Sequence, residues 1–193
     1  VTDSNGILIG GVYHSVAAPV RTWHAHGLEL KPGCGARVRK PGQLIDTLVV
    51  HMTGAEHPPE KMFANLLKRK GSDGKPQPLG TEFAIDADGV IYQFCDPLTV
   101  DSFDAGYLNS TSIGVEIVNY GFTRNERLET QWGRLRSKYG TRIHGKRLEM
   151  AYTHLDQHAA LLALADALTS SPLLSIPRKL ARSKDGNFRG QGG

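Results

Sequence analysis

Ile45-Asp46-Thr47-Leu48-Val49-Val50-His51 is an apolar, β-branched run of the length of a buried strand, and Thr53-Gly54 follows it. It predicts a strand with His51 at its end, facing a loop. Downstream, Pro58-Pro59-Glu60 sets a proline in a first helical turn with an early acid. Met62, Phe63, Leu66 and Leu67 then repeat at helical spacing, which predicts a helix near 58–70. After a Gly-, Pro- and Lys-rich loop, Thr81 to Ile85 and Val90 to Phe94 flank Asp86-Ala87-Asp88-Gly89, a strong hairpin signal. Ser112 to Val118 alternates, with Ile113, Val115 and Ile117 on one face and Glu116 on the other. If the fold also covers that second face, a carboxylate there is costly unless paired or functional. Thr153 with Asp156 forms a capping-box pattern, and Leu155, Ala159, Leu162, Ala163 and Leu168 mark an amphipathic helix near 153–168. The expected fold is α/β: a central mixed β-sheet flanked by helices.

Around this core the chain changes character. Residues 1–43 carry Gly and Pro at short intervals and read as an extended N-terminal arm with one short strand at Ile7 to Tyr13. Thr123 to Lys146 is charged, with Trp132 and Tyr139 as its aromatics, and reads as an irregular insertion with room for one helix. Leu173 to Gly193 is basic and then Gly-rich, a tail. The expected organisation is therefore an arm over 1–43, a domain over 44–172 and a tail over 173–193. The first residue is Val1 and no signal-peptide pattern is present, as expected of a processed form or an excised domain.

A chain of 193 residues fits one core, and 39% hydrophobic with 22% charged residues excludes wholesale disorder and fibrous classes. Lys and Arg number 23 against 19 Asp and Glu, a net charge of +4 spread in short clusters such as Lys68-Arg69-Lys70, which does not point to nucleic acid. The longest apolar run, Leu161 to Leu168, is interrupted by Asp166, so no transmembrane segment is expected. Cys34 and Cys95 form no Cys-x-x-Cys motif, and one disulfide and two free thiols both stay open.

Three stretches carry a resemblance: IDTLVVHMTGAE at 45–56, FAIDADGVIYQF at 83–94 and, most specifically, AGYLNSTSIGVEIVN at 105–119. Over roughly 44–170 the chain resembles the zinc-dependent N-acetylmuramoyl-L-alanine amidases, the group that includes peptidoglycan recognition proteins and phage amidase lysozymes. The resemblance implies a peptidoglycan hydrolase that cleaves the amide between N-acetylmuramic acid and the L-alanine of the stem peptide. Amide hydrolysis needs a nucleophile, a polarised carbonyl and a proton donor for the leaving amine. A zinc with three protein ligands and an open position supplies the first two. On this reading His51 is a zinc ligand, Glu116 the catalytic acid or base and Asn109 a substrate-binding residue, with peptidoglycan or muropeptide as partner. Action on peptidoglycan would place the protein in the cell envelope or periplasm, or outside the cell. The oligomeric state stays open.

The departures from the family pattern are equally specific. The family places a second zinc-binding His after the late helix and an Asp or Cys further on, and no histidine follows His158; Ser175 stands at the best-fitting position. Lys184-Asp185-Gly186 reads as a basic surface turn or a remnant of the last motif. His154 and His158 have a spacing that can place two imidazoles on one metal, yet they read as surface residues of the helix. His24, His26, His57 and His144 have no partner pattern. Glu82 and Asp104 stand where relatives carry His. One imidazole cannot hold zinc, so either the chain stops before the remaining ligands, the favoured explanation, or the metal site is lost. The alternative function is a catalytically silent module that binds muropeptide or peptidoglycan. A third is a structural piece of a larger assembly attached through the arm.

Overall fold

The computed structural model describes residues 4–54, 57–119, 122–123, 141–143, 146–150 and 155–178. In chain order the elements are β1 (Ser4–Ile9), β2 (Val12–Thr22), the one-turn helix α1 (Trp23–His26), β3 (Ala36–Val38), β4 (Thr47–Met52), α2 (Pro59–Leu67), β5 (Phe83–Ile85), β6 (Ile91–Gln93) and β7 (Val100–Ser102). A 3-10 turn (Gly106–Thr111) leads into β8 (Ser112–Ile117), followed by β9 (Phe122–Thr123), β10 (Thr141–Ile143), β11 (Lys146–Met150) and α3 (Leu155–Ser170). Six strands form a mixed sheet in the order β1-β2-β6-β5-β8-β4. β4, β8 and β5 run parallel, β6 is antiparallel to β5, and β2 is parallel to β6. The α/β fold with a central mixed sheet is the one the sequence predicts.

Side-chain alternation along the central strands builds two cores. Phe83, Ile85, Ile91, Ile113, Val115 and Ile117 pack beneath Ala160, Leu164 and Leu168 of α3. On the other face Ala84, Tyr92 and Phe94 meet Met62 and Phe63 of α2, with the Phe63 and Phe94 rings stacked 4.5 Å apart. The hairpin forms as its turn chemistry dictates: Asp86 Oδ1 accepts the Asp88 and Val90 N–H groups, and Gly89 takes the left-handed φ of 78°.

Two expectations need correction. α3 exists, but its buried stripe is Gln157, Ala160, Leu164 and Leu168, while Leu155 and Leu162 are exposed. Leu and Ala occur on nearly every side of this helix, so the sequence alone does not single out the inward face. A buried polar residue marks it instead: the Gln157 amide donates to the Val118 carbonyl at the end of β8. The Thr153 cap lies outside the described residues, as does most of the insertion over 123–146, although β10 within it pairs antiparallel with β11, which in turn pairs antiparallel with β9.

The N-terminal segment holds three strands, β1, β2 and β3, rather than one short one at 7–13, and β1 and β2 form a hairpin because the chain reverses at Gly10-Gly11, both with positive φ. The hairpin is built into the sheet. β2 hydrogen-bonds to β6, and the Gln93 amide both donates to the Leu8 carbonyl and accepts the Leu8 N–H, tying β1 to the centre. The Asp96 carboxylate accepts the Gly10 and Gly11 N–H groups, fixing the turn. Pro19, which cannot donate to a ladder, falls where the β1–β2 register shifts. Cys34 is exposed and Cys95 buried, and both are free thiols. Among the described residues no helix is long and apolar enough to cross a membrane.

Gly114 in β8 carries a close contact: a Cβ there would lie 1.3 Å from Oδ2 of Asp104. Gly114→Ala must displace that carboxylate and is expected to lose about 1–3 kcal/mol in urea unfolding. Leu164→Ala, at a fully buried position of α3, is expected to lose about 2–5 kcal/mol, and Leu162→Ala less than about 0.5 kcal/mol.

Candidate functional site

Parallel pairing of β4 with β8 sets residue 51 directly beside residue 116. Partners in a parallel ladder project to the same side. His51 and Glu116 therefore share the sheet face opposite α3, near the carboxyl ends of their strands, where open α/β sheets place ligand crevices. Beyond them the strand ends are clamped. Thr53 Oγ1 donates to the Asn119 carbonyl, the Asn119 N–H donates to Thr53 Oγ1, and the Thr53 N–H donates to the Ile117 carbonyl. His51 is the penultimate residue of β4, one position inside the expected strand end.

Both side chains are half-buried and each keeps an unused atom. His51 Nε2 and Glu116 Oε2 are buried without a hydrogen-bond partner among the described residues. Burial pushes the His51 pKa down, which favours the neutral imidazole, the form that ligates metals. Burial pushes Glu116 up to about 7. A carboxyl that titrates near neutrality is suited to receive or deliver a proton at physiological pH.

Two further carboxyls adjoin Glu116. Asp104 sits against Gly114, two residues before Glu116 on the same face, and burial followed by the charge of Glu82 raises it to about 8. Glu82 is fully buried, with Oε2 accepting the Gly114 N–H and the Ser102 hydroxyl at 2.7 Å each, and Oε1 accepting the Ser102 N–H at 3.1 Å. The Arg39 guanidinium lies 3.5 Å from Oε1 and is itself 3% exposed, donating also to the carbonyls of Ser110 and Ser112.

These residues differ in how visible they were in the sequence. Glu116 and His51 followed from alternation and resemblance, and Glu82 and Asp104 stood out as substitutions. Arg39 had no signal, because its role depends on contacts more than forty residues away. Asn109 Oδ1 accepts the Ala105 N–H at 2.6 Å, so this oxygen is engaged within its own 3-10 turn. His158 is exposed on α3, while His154, His144 and Lys184-Asp185-Gly186 lie outside the described residues.

The donor set also tests zinc. His51 offers a neutral, unbonded nitrogen, as a ligand must. Zinc needs three protein donors, and among the described residues no group of three or more His, Cys, Asp or Glu side chains is arranged to hold a metal ion. The described residues therefore do not make up a zinc site.

Comparison with known proteins gives the following. No curated protein matches the chain in sequence. Among solved structures, the Escherichia coli amidase AmiD, in complex with anhydro-N-acetylmuramic acid-L-Ala-D-gamma-Glu-L-Lys, shares 20% identity over 66% of this chain with a TM-score of 0.43. Drosophila PGRP-SD shares 15% identity over 81% of this chain and 78% of its own, with a TM-score of 0.49. A Drosophila PGRP-LB mutant in complex with tracheal cytotoxin shares 15% identity over 58% of this chain and 66% of its own, with a TM-score of 0.34. The chain spans 45% of AmiD. A model of the N-acetylmuramoyl-L-alanine amidase family matches residues 41–171, the stretch that contains β4, α2, the hairpin, β8 and α3, and the chain belongs to that family.

Proposed function

We propose that the chain is a peptidoglycan hydrolase that cleaves the amide between N-acetylmuramic acid and L-alanine. The observation that carries this reading is the pairing of His51 with Glu116: an unbonded imidazole nitrogen and an unbonded carboxylate oxygen on one face at the carboxyl ends of two parallel strands. In this role Glu116, when ionised, takes a proton from the attacking water and later returns it to the departing amine. The Thr53–Asn119 clamp keeps β4 and β8 in register so that the two side chains stay adjacent. Zinc, with His51 as one donor, is the cofactor that the family resemblance implies. It would polarise the scissile carbonyl.

A second reading is a muropeptide-binding module without activity, and the missing three-donor cluster among the described residues favours it. Metal analysis and cell-wall digestion separate the two. A hydrolase is expected to retain zinc and to release new L-alanine amino termini from peptidoglycan, with both lost in His51→Ala and on chelation. Saturable muropeptide binding that chelator leaves unchanged, without release of termini, establishes the silent module instead.

Glu116 fixes the pH dependence. As a base it works ionised, so with a carboxyl raised to about 7 the rate should climb as pH rises through about 7 and level off above. Glu116→Gln is expected to reduce hydrolysis by about 10²–10⁴-fold and to abolish that limb of the profile, measured from pH 5 to 9 at about one-unit steps.

A further inference from the structure

Three carboxyl groups gather around Gly114 on the face of β8 turned away from α3, and their hydrogen bonding is unequal. Glu82 has hydrogen-bond donors on both oxygens, the Ser102 N–H, the Ser102 hydroxyl and the Gly114 N–H, and the Arg39 guanidinium faces it as an ion pair at 3.5 Å. Among the described residues neither buried Asp104 oxygen has a hydrogen-bond partner, the nearby Ser102 hydroxyl being given to Glu82, and Oε2 of Glu116 is likewise without a donor. An ionised carboxylate can only accept hydrogen bonds, and burying one without donors is strongly unfavourable. Among the described residues Arg39 makes no hydrogen bond to Asp104: its terminal nitrogens donate to the carbonyls of Ser110 and Ser112 and one lies 3.5 Å from Glu82, while its Nε has no partner. Three buried negative charges beside one positive charge are relieved by taking up a proton, and the distribution of donors decides where it resides.

We propose that Asp104 is a positioning residue that stands in the folded protein as a neutral carboxylic acid, holding a proton within electrostatic reach of Glu116, while Glu82 carries the buried negative charge. The steric fit agrees: Asp104 packs directly against the bare Cα of Gly114, leaving no room there for solvating water. The titratable and charged groups around it come from several elements. Glu82 precedes β5, Glu116 belongs to β8, His51 lies on the same face from β4, and Arg39 reaches in after β3. Cys95, beyond β6, has a thiol pushed up by burial and then by the charges of Glu82 and Asp96. Asp101 of β7 is separately paired with Arg37 at 2.7 Å. Burial and the charge of Glu82, with a smaller contribution from Glu116, raise Asp104 to about 8. A neutral Asp104 spares Glu116 a second adjacent negative charge, so that Glu116 can ionise near neutral pH. This consequence for catalysis rests on the amidase reading; the protonation itself does not.

The test is a carboxyl-carbon NMR titration of the full chain with labelled aspartate, with the protonated-carboxyl infrared band as a second signature. The expected result is one aspartate still protonated at about pH 7 and titrating near 8, absent in Asp104→Asn and shifted to lower pH in Glu116→Gln. Because the folded pKa lies above the ordinary aspartate value, the folded state binds the extra proton between them. Stability should therefore fall as pH rises from about 4 to about 8, and Asp104→Asn, a neutral isostere, should flatten that slope. In the hydrolysis assay Asp104→Asn should leave the acid limb of the rate profile where it is, whereas an ionised Asp104 predicts a shift to lower pH on its removal. Ordinary aspartate titration at every position in the wild-type protein overturns the inference, and that measurement needs no variant. A protonated aspartate in a protein that releases no L-alanine termini leaves this inference standing and overturns the amidase reading; the reverse pair of results does the opposite.

Discussion

A fully buried carboxylate, that of Glu82, joins the parts of the chain that make the cleft. It accepts from β7 through Ser102 and from β8 through Gly114 and is ion-paired with Arg39, so one side chain connects segments scattered over more than seventy residues. Taking a carboxylate and a guanidinium out of water is costly, and their mutual attraction together with the hydrogen bonds each makes offsets that cost. Arg39 then extends the connection to the carbonyls of Ser110 and Ser112, where the 3-10 turn enters β8. Loss of either partner would leave the other charged and unpaired in the interior, a penalty of about 3–5 kcal/mol. The orientation of β8, and with it the aim of Glu116, depends on this pair.

The same pair explains why the N-terminal segment belongs to the fold. Arg39 precedes the stretch that matches the family, 41–171, yet it is among the most buried residues of the protein. Upstream of it β3 pairs with β7, and the β1–β2 hairpin extends the sheet beyond β6. Asp96 and Gln93 bond to backbone groups of that hairpin as a neighbouring strand would. A short strand with Gly and Pro at its turns gains its stability from such partners and not from its own propensity.

Where the expected fold was legible, local chemistry was strong. Asp86-Ala87-Asp88-Gly89 carries its own turn, Pro59 starts α2, and strict alternation in β8 separates the isoleucines from Glu116. Where it was not legible, the deciding contact was distant. The inward face of α3 is set by the sheet it lies on and by the bond from Gln157 to Val118, so a helix with Leu and Ala all round could not declare it. The second strand of the N-terminal hairpin was hidden because its partner, β6, lies some seventy residues later.

Sequence by itself determined that a mixed α/β sheet forms, that His51 stands near the end of one strand and that Glu116 faces away from the core of another, because period and turn chemistry act over a few residues. Only the tertiary structure decided that the two are lateral neighbours, since register between parallel strands is fixed by packing and not by the intervening chain. It also decided the electrostatics. That Glu82 is hydrogen-bonded on both oxygens while Asp104, against the bare Cα of Gly114, has no donor among the described residues is a property of the folded interior, where excluded water makes each charge answer to its neighbours.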